Sequence, residues 1–252
     1  MTEPELHRAL AQGVIGVGGV VFVALFAITA PYGRHARSGL GPLVSSRAGW
    51  LLMESPAVLA FLAIYLAGKH AFDPAPALLA ALWLLHYVHR AFVYPLRLGA
   101  RGKPMPLAIP LLGILFNLVN AYLNARWLSE LGDYPLSFLR DPRPWLGAVV
   151  FLTGLAVNVH SDGILLALRG PGEQGYEIPR GGAFRWLSAP NYAAEVLEWS
   201  GWALATWSLA GLAFALFTFA NLAPRAVAHH RWYRETFPEY PASRKALVPF
   251  VW

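Results

Sequence analysis

The segment Asn158 to Tyr192 reads NVHSDGILLALRGPGEQGYEIPRGGAFRWLSAPNY. It begins inside an apolar run that carries Asn158, His160, Ser161 and Asp162. It leaves that run at Arg169 through a loop of glycine, proline and a few charges. It returns at Asn191 and Tyr192, just before a further apolar run holding Glu195 and Glu198. Polar groups at membrane depth are costly unless they find partners. So many of them around one structured loop point to a binding site.

The rest of the chain has a membrane composition. Of 252 residues, 56% are hydrophobic and 13% charged, with a mean hydropathy of +0.44. That is about half the ~25% charge content of an ordinary soluble domain. Long apolar runs, not short alternating segments, imply an all-α integral membrane protein and exclude a β-barrel. There is no cysteine, hence no disulfide and no thiolate metal site. The first apolar run is long enough to span and lacks a polar cleavage region, so it reads as a span and not as a removable signal. The net charge of +6 reads as topology and not as nucleic-acid binding.

Seven spans are expected, roughly Ala9–Thr29, Trp50–Ala67, Ala75–Val93, Leu107–Trp127, Trp145–Leu168, Ala193–Ser208 and Leu209–Ala223. The last two divide one apolar stretch. Charge decides that division: seven spans put 14 Lys and Arg on one side and 5 on the other, whereas six give 9 against 10. The positive-inside rule favours seven, with the N-terminus outside and the C-terminus cytoplasmic. Gly13, Gly16, Gly18 and Gly19 lack the strand and βαβ unit of a dinucleotide fingerprint. Close helix packing is expected there instead. No repeat or linker divides the chain, so 1–252 reads as one domain.

Two polar groups stand out. Glu54, in the second span, and Tyr87, within LHYVHRAFVY, are a carboxyl and a phenol in apolar surroundings. Such a pair can polarise a carbonyl and donate a proton, and burial favours the neutral, donating acid. They could equally be a buried hydrogen-bond pair joining helices. His86 and Arg90 share a helix face, with Tyr87 about 100° away. The second group is basic and lies beyond the spans: Arg101 and Lys103; Arg169; Arg225, His229, His230 and Arg231; Arg244 and Lys245. Cations from several segments, with glycines for close backbone approach, suit a polyanion. Attraction to anionic lipid explains basic loops too, but not Asn158, Asp162, Asn191 and Glu195 within the spans. The adjacent His229 and His230 face different ways on a helix, and no metal site is expected.

These residues resemble the steroid 5α-reductase family. The likeness runs from about Ala48 to the C-terminus through LMESP (52–56), LHYVHRAFVY (85–94), NVHSD (158–162), RGPGEQGYEIPRGG (169–182), APNYAAEVLEWSGWALATWSL (189–209), RAVAHHRWYRETF (225–237) and YPASRKALVPF (240–250). It implies NADPH-dependent reduction of the Δ4 double bond of 3-oxo-Δ4-steroids in a seven-helix fold without a Rossmann domain. The family's catalytic carboxylate falls on Glu54 and its catalytic tyrosine on Tyr87. Its cofactor residues fall on Lys103, Asn158, Asp162, Arg169, Tyr176, Asn191, Arg225, His229, Tyr233 and Arg244, with Glu195 near the nicotinamide end. Met53 stands where animal members have glutamine, and Ala100 where an asparagine is common. Bacterial versions are the nearest comparison, which implies a bacterial inner membrane, or the endoplasmic reticulum membrane in a eukaryote; a monomer taking an apolar steroid from the bilayer is expected. Beside related reductases acting on a polyprenol or an enoyl thioester, two alternatives of other classes remain at this point. One is an isoprenylcysteine-type membrane methyltransferase using S-adenosylmethionine, which gives no reason for so many cations. The other is a non-catalytic sterol or lipid carrier.

Overall fold

The computed structural model describes residues 1–29, 35, 39, 41–99, 101–168, 170 and 175–252. Seven helices follow in chain order: α1 (Glu3–Ala27), α2 (Ser46–Leu66), α3 (Pro74–Leu98), α4 (Ala108–Leu131), α5 (Pro142–Ala167), α6 (Pro190–Thr206) and α7 (Leu209–Thr236). All but α6 are long and apolar enough to cross a membrane. α6 has 17 residues and packs on both α5 and α7. The chain is an integral, multi-pass membrane protein. The one sheet among the described residues pairs Leu43–Val44 with Met105–Pro106, so no Rossmann-like sheet is present there.

Local chemistry sets the helix ends. Thr2 and Glu5 form a capping box at the start of α1, where the Thr2 amide donates to Glu5 Oε2 at 2.8 Å. Ser45, Asp141 and Ser208 accept from the backbone amides of Ala48, Arg143 and Gly211 and so cap α2, α5 and α7. Asp141 lies outside the spans, and hydrogen bonds from Arg143 hold its carboxyl down at about 2. Trp207 adopts a left-handed conformation (φ 46°) and, with Ser208, turns α6 back into α7.

Packing is closest between α5 and α6. A Cβ on Gly154 would sit 2.6 Å from both the Ala194 carbonyl oxygen and the Glu198 amide nitrogen. Glycine there brings the backbone of α5 against that of α6. α2 packs mainly on α4, and α1 on α7. At the centre is fully buried Trp83 of α3. Its ring stacks on Phe61 at 4.8 Å and meets Trp199, Trp202 and Phe214 between 5.4 and 5.7 Å, while its indole donates to the Ala57 carbonyl at 2.8 Å. One side chain thereby ties four helices together.

Contacts sort the connections between two ends of the bundle. At one end Arg126 holds Glu3 through two bonds of 2.6 and 3.0 Å, Lys69 pairs with Glu130, Tyr134 donates to the Thr206 carbonyl, and Arg143 lies over Trp207. At the other, Ser46 donates to the Lys103 carbonyl, Lys103 lies over Tyr176, and Arg244 donates to the Pro179 carbonyl. The alternation expected for seven crossings is therefore present.

Two expectations are corrected. α7 runs to Thr236, 13 residues past the expected Ala223. Its 28 residues rise about 42 Å, some 12 Å more than the hydrocarbon core. The basic residues after Ala223 continue the helix because they lie past the depth at which charge is costly. The α1 glycines also do not form a packing seam. Only Gly18 meets α7, at 3.5 Å from Phe217, whereas Gly13, Gly16 and Gly19 have no atom within 4 Å of a built Cβ. Most of α1 faces away from the other helices, so close approach occurs at the α5–α6 contact instead.

Candidate active site

A cavity of about 1070 Å³ runs along the bundle and is lined from all seven helices. Its membrane half is apolar, lined by Val14 and Val17 of α1, Leu112 and Phe116 of α4, and Phe214 and Phe217 of α7. Its other half, toward the end where α7 overhangs, is lined by Asp162, Tyr176, Asn191, Tyr192, Glu195, Arg225, His229 and Tyr233. Glu54 and Tyr87 both line it. The structure thus brings the two candidate catalytic residues, from different helices, to one chamber.

Glu54 reaches the chamber from α2. On α4, Asn117 donates to the Met53 carbonyl at 2.6 Å and to Glu54 Oε2 at 3.1 Å. An amide N–H can only donate, so Oε2 accepts and Oε1 is left to carry the acid proton. Tyr87 is buried among Trp83, His86 and Trp199, with ring centroids 4.7, 4.9 and 5.5 Å away. Asn120 lies close enough to act on the phenol, and its Nδ2 has no hydrogen-bond partner among the described residues. Two residues on, α3 loosens into a π-helical turn, His89–Val93, that carries Arg90. Such turns recur at functional sites.

Arg90 links the two halves of the chamber. It donates to Asp162 at 2.7 Å and lies 3.7 Å from Glu195, with its guanidinium over the rings of Trp50 (4.4 Å) and Tyr94 (4.8 Å). Asn191 donates to the other Asp162 oxygen at 3.1 Å, and Asn158 donates to the Asn191 carbonyl at 2.9 Å. Asn158 therefore sits behind Asn191 and does not line the cavity. Arg225 donates to the Tyr192 hydroxyl at 2.9 Å, and His229 lies 3.5 Å from that oxygen. Arg244 is 4% exposed; its Nη2 donates to the Pro179 carbonyl, while Nε and Nη1 have no partner among the described residues. A buried guanidinium with two idle donors is set up for an anion, but neither Arg244 nor Lys103 lines the chamber itself. Arg169 and Ala100 lie outside the described residues.

Three participants were visible in the sequence but were given no role there. Asn117 orients Glu54, Arg90 bridges Asp162 and Glu195, and Glu198 holds His86. The signal for the first was there: Asn117, Asn120 and Asn124 recur at spacings of three and four and so share one face of α4.

A membrane-embedded chamber that is apolar at one end, polar at the other and lined by a carboxyl and a phenol between them fits an enzyme of the multi-pass kind that acts on a lipid-soluble substrate. The comparisons with known proteins agree. Residues 103–252 match the family model described as 3-oxo-5-alpha-steroid 4-dehydrogenase. The chain is 44% identical to the Bos taurus protein named 3-oxo-5-alpha-steroid 4-dehydrogenase 1, across all of this chain and 99% of that one. It is 44% identical to steroid 5-alpha-reductase DET2 of Arabidopsis thaliana, again over 100% and 99%. With the human 3-oxo-5-alpha-steroid 4-dehydrogenase 1 it shares 42%, over 100% and 97%. The chain belongs to the 3-oxo-5-alpha-steroid 4-dehydrogenase family.

Proposed function

We propose that this protein reduces the Δ4 double bond of 3-oxo-Δ4-steroids to the 5α-dihydro products, with NADPH as reductant and with Glu54 and Tyr87 holding the C3 oxygen. The observation that carries the mechanism is that Glu54 and Tyr87 face one chamber whose far end is built of Asn191, Arg225, His229 and Tyr233. The names of the relatives supply the substrate class.

The residues present fit a dinucleotide phosphate. The buried Arg244 guanidinium has two unused donors, and the cavity of about 1070 Å³ exceeds the ~300–1,000 Å³ of pockets for one small ligand. Lys103, Arg169, Arg225 and Arg244 would take the phosphates. Asp162, Asn191 and, through Asn191, Asn158 would take ribose, diphosphate or carboxamide. Tyr176, Glu195, His229 and Tyr233 would wall the site, Glu195 toward the nicotinamide. When bound, NADPH supplies a hydride to C5.

The side chains do the rest. As hydride arrives, negative charge gathers on the C3 oxygen. Glu54, neutral and donating through Oε1, and Tyr87, donating through its hydroxyl, stabilise that enolate in surroundings where little water competes. Trp83 and Trp199 fix the Tyr87 ring, and Phe214, packed on Trp199, adds an apolar wall to the chamber. The steroid enters from the bilayer, where it already partitions. Residues 1–100 form mainly the substrate side and 101–252 mainly the cofactor side of one domain. The charge asymmetry of the loops supports an N-terminus outside and a nucleotide end in the cytoplasm; a monomer in a bacterial inner membrane completes the proposal.

The test is product analysis of purified protein with NADPH and a panel of Δ4-3-ketosteroids. A 5α-dihydro product is expected. Steroid binding without NADPH oxidation would make the protein a carrier. Thermal protection by S-adenosylmethionine and not by NADPH would make it a methyltransferase.

A further inference from the structure

The reaction needs a proton at C4 as well as a hydride at C5, and the groups that hold the C3 oxygen do not supply it. We propose that His86, held by Glu198, is the proton donor to C4. This rests on the steroid-reductase reading above.

The geometry begins with a buried pair across α3 and α6. His86 Nδ1 lies 2.8 Å from Glu198 Oε1, and the two side chains are 4% and 0% exposed. Glu198 Oε2 has no partner among the described residues. With Nδ1 engaged, Nε2 is the ring's remaining polar atom, and it makes no hydrogen bond among the described residues. The His86 ring lines the same chamber as Glu54 and Tyr87. C4 is bonded to C3, so a donor to C4 has to sit beside the groups holding the C3 oxygen. His86 is the residue next to Tyr87, with ring centroids 4.9 Å apart.

Charge supports a stored proton. Around His86 stand Glu54 from α2, Tyr87, His89 and Arg90 from α3, Asp162 from α5, and Glu195 and Glu198 from α6. Four carboxyl groups face one guanidinium. Fully ionised, they would leave three uncompensated negative charges in an apolar interior, which is strongly unfavourable. The cluster must therefore hold protons. One sits on Glu54, where donation to the ketone requires it; another sits on the His86–Glu198 pair.

The step balances. Hydride adds to C5, and the C4–C5 double-bond pair shifts so that an enolate forms at C3. The enolate pair takes the Nε2 proton to make the new C4–H bond, and the C3 carbonyl is restored. As Nε2 gives up its proton, Nδ1 takes one from the Glu198 acid, so His86 stays neutral, Glu198 is left as the carboxylate, and solvent returns the lost proton.

The experiment measures kcat against pH, between about pH 6 and pH 9, for wild type, His86→Gln and Glu198→Gln in lipid nanodiscs, with NADPH and a Δ4-3-ketosteroid. Wild-type kcat should fall as pH rises and the His86–Glu198 pair loses its proton. His86→Gln should be slower by roughly 10²-fold with steroid KM unchanged, should lack that decline, and should recover rate when imidazole is added. Glu198→Gln keeps a hydrogen-bond partner for Nδ1 but has no acid proton to pass on, so it should be slow at every pH and lack the decline. A purely structural pair predicts neither the rescue nor the lost decline. The proposal is overturned by a wild-type kcat that stays flat at high pH, by the same decline in His86→Gln, or by no imidazole rescue. Should His86→Gln not fold, the wild-type and Glu198→Gln profiles still decide. Failure of the wild type to reduce any Δ4-3-ketosteroid would sink the steroid reading itself, a result distinct from these.

Discussion

Replacing Tyr87 with phenylalanine removes one oxygen and leaves the ring in place. The ring is what the surroundings grip: Tyr87 is 3% exposed, wedged against Trp83 at 4.7 Å, His86 at 4.9 Å and Trp199 at 5.5 Å. Packing and helix register should therefore survive. What is lost is one of two donors to an oxygen that becomes negative only during reaction. Removing a donor of that kind costs ~10²–10³ in kcat, or about 2.7–4 kcal/mol of transition-state stabilisation. Ground-state binding should change little, because a ketone oxygen accepts weakly compared with an enolate. Glu54→Gln should behave alike, since its amide would have to replace a carboxylic acid proton while still meeting Asn117. The assay is single-turnover NADPH oxidation, with NADPH affinity read by tryptophan fluorescence on the same samples. Near-normal turnover in both variants would take Glu54 and Tyr87 out of the chemistry.

Three further outcomes are expected. Arg244→Ala should weaken NADPH binding by at least tenfold, since a hydrogen bond to a charged group is worth about 1.5–3 kcal/mol, while kcat at saturation stays close to wild type; calorimetric titration reads this. Arg90→Met should strand Asp162 and Glu195 as unpaired buried charges and cost about 3–5 kcal/mol of stability, seen as a lowered melting temperature in detergent. That loss should shrink when Asp162 is replaced by leucine in the same chain. Gly154→Val should force α5 and α6 apart and cost at least ~1–3 kcal/mol, whereas Gly16→Val on α1, with open space around it, should be neutral by the same melt.

The architecture was legible because it is written in long-range composition. Twenty-residue apolar runs and the sorting of lysine and arginine among loops report on the bilayer, which acts on every span alike. The division of the last apolar stretch at Ser208 came from charge alone, and the turn lies there because Ser208 caps α7. The end of α7 was not legible: hydropathy drops at Ala223, but a helix does not stop where it leaves lipid, and nothing before Thr236 breaks it. The α1 glycines misled because small residues permit close packing without requiring it. In the site, residue types at membrane depth pointed to Glu54, Tyr87, Asp162 and Asn191. Their pairing did not show, because Arg90–Asp162 and His86–Glu198 join residues 72 and 112 positions apart. Spacing within one helix carries no information about which distant helix will face it.

The overhanging rod of α7 has a mechanical meaning. Phe214, in the apolar end of the chamber, and Tyr233, at the polar end, sit on one unbroken helix about 28 Å apart along its axis. A tilt of that rod by a few degrees moves its tip by a couple of ångströms, so the two ends of the chamber cannot open independently while the helix stays straight. Pro224 lies between them and deprives the Ala220 carbonyl of its usual amide partner. It is the cheapest place for the rod to flex. Bending at that point lets the outer turns swing clear while the inner turns stay seated among Trp83, Trp199 and Phe116.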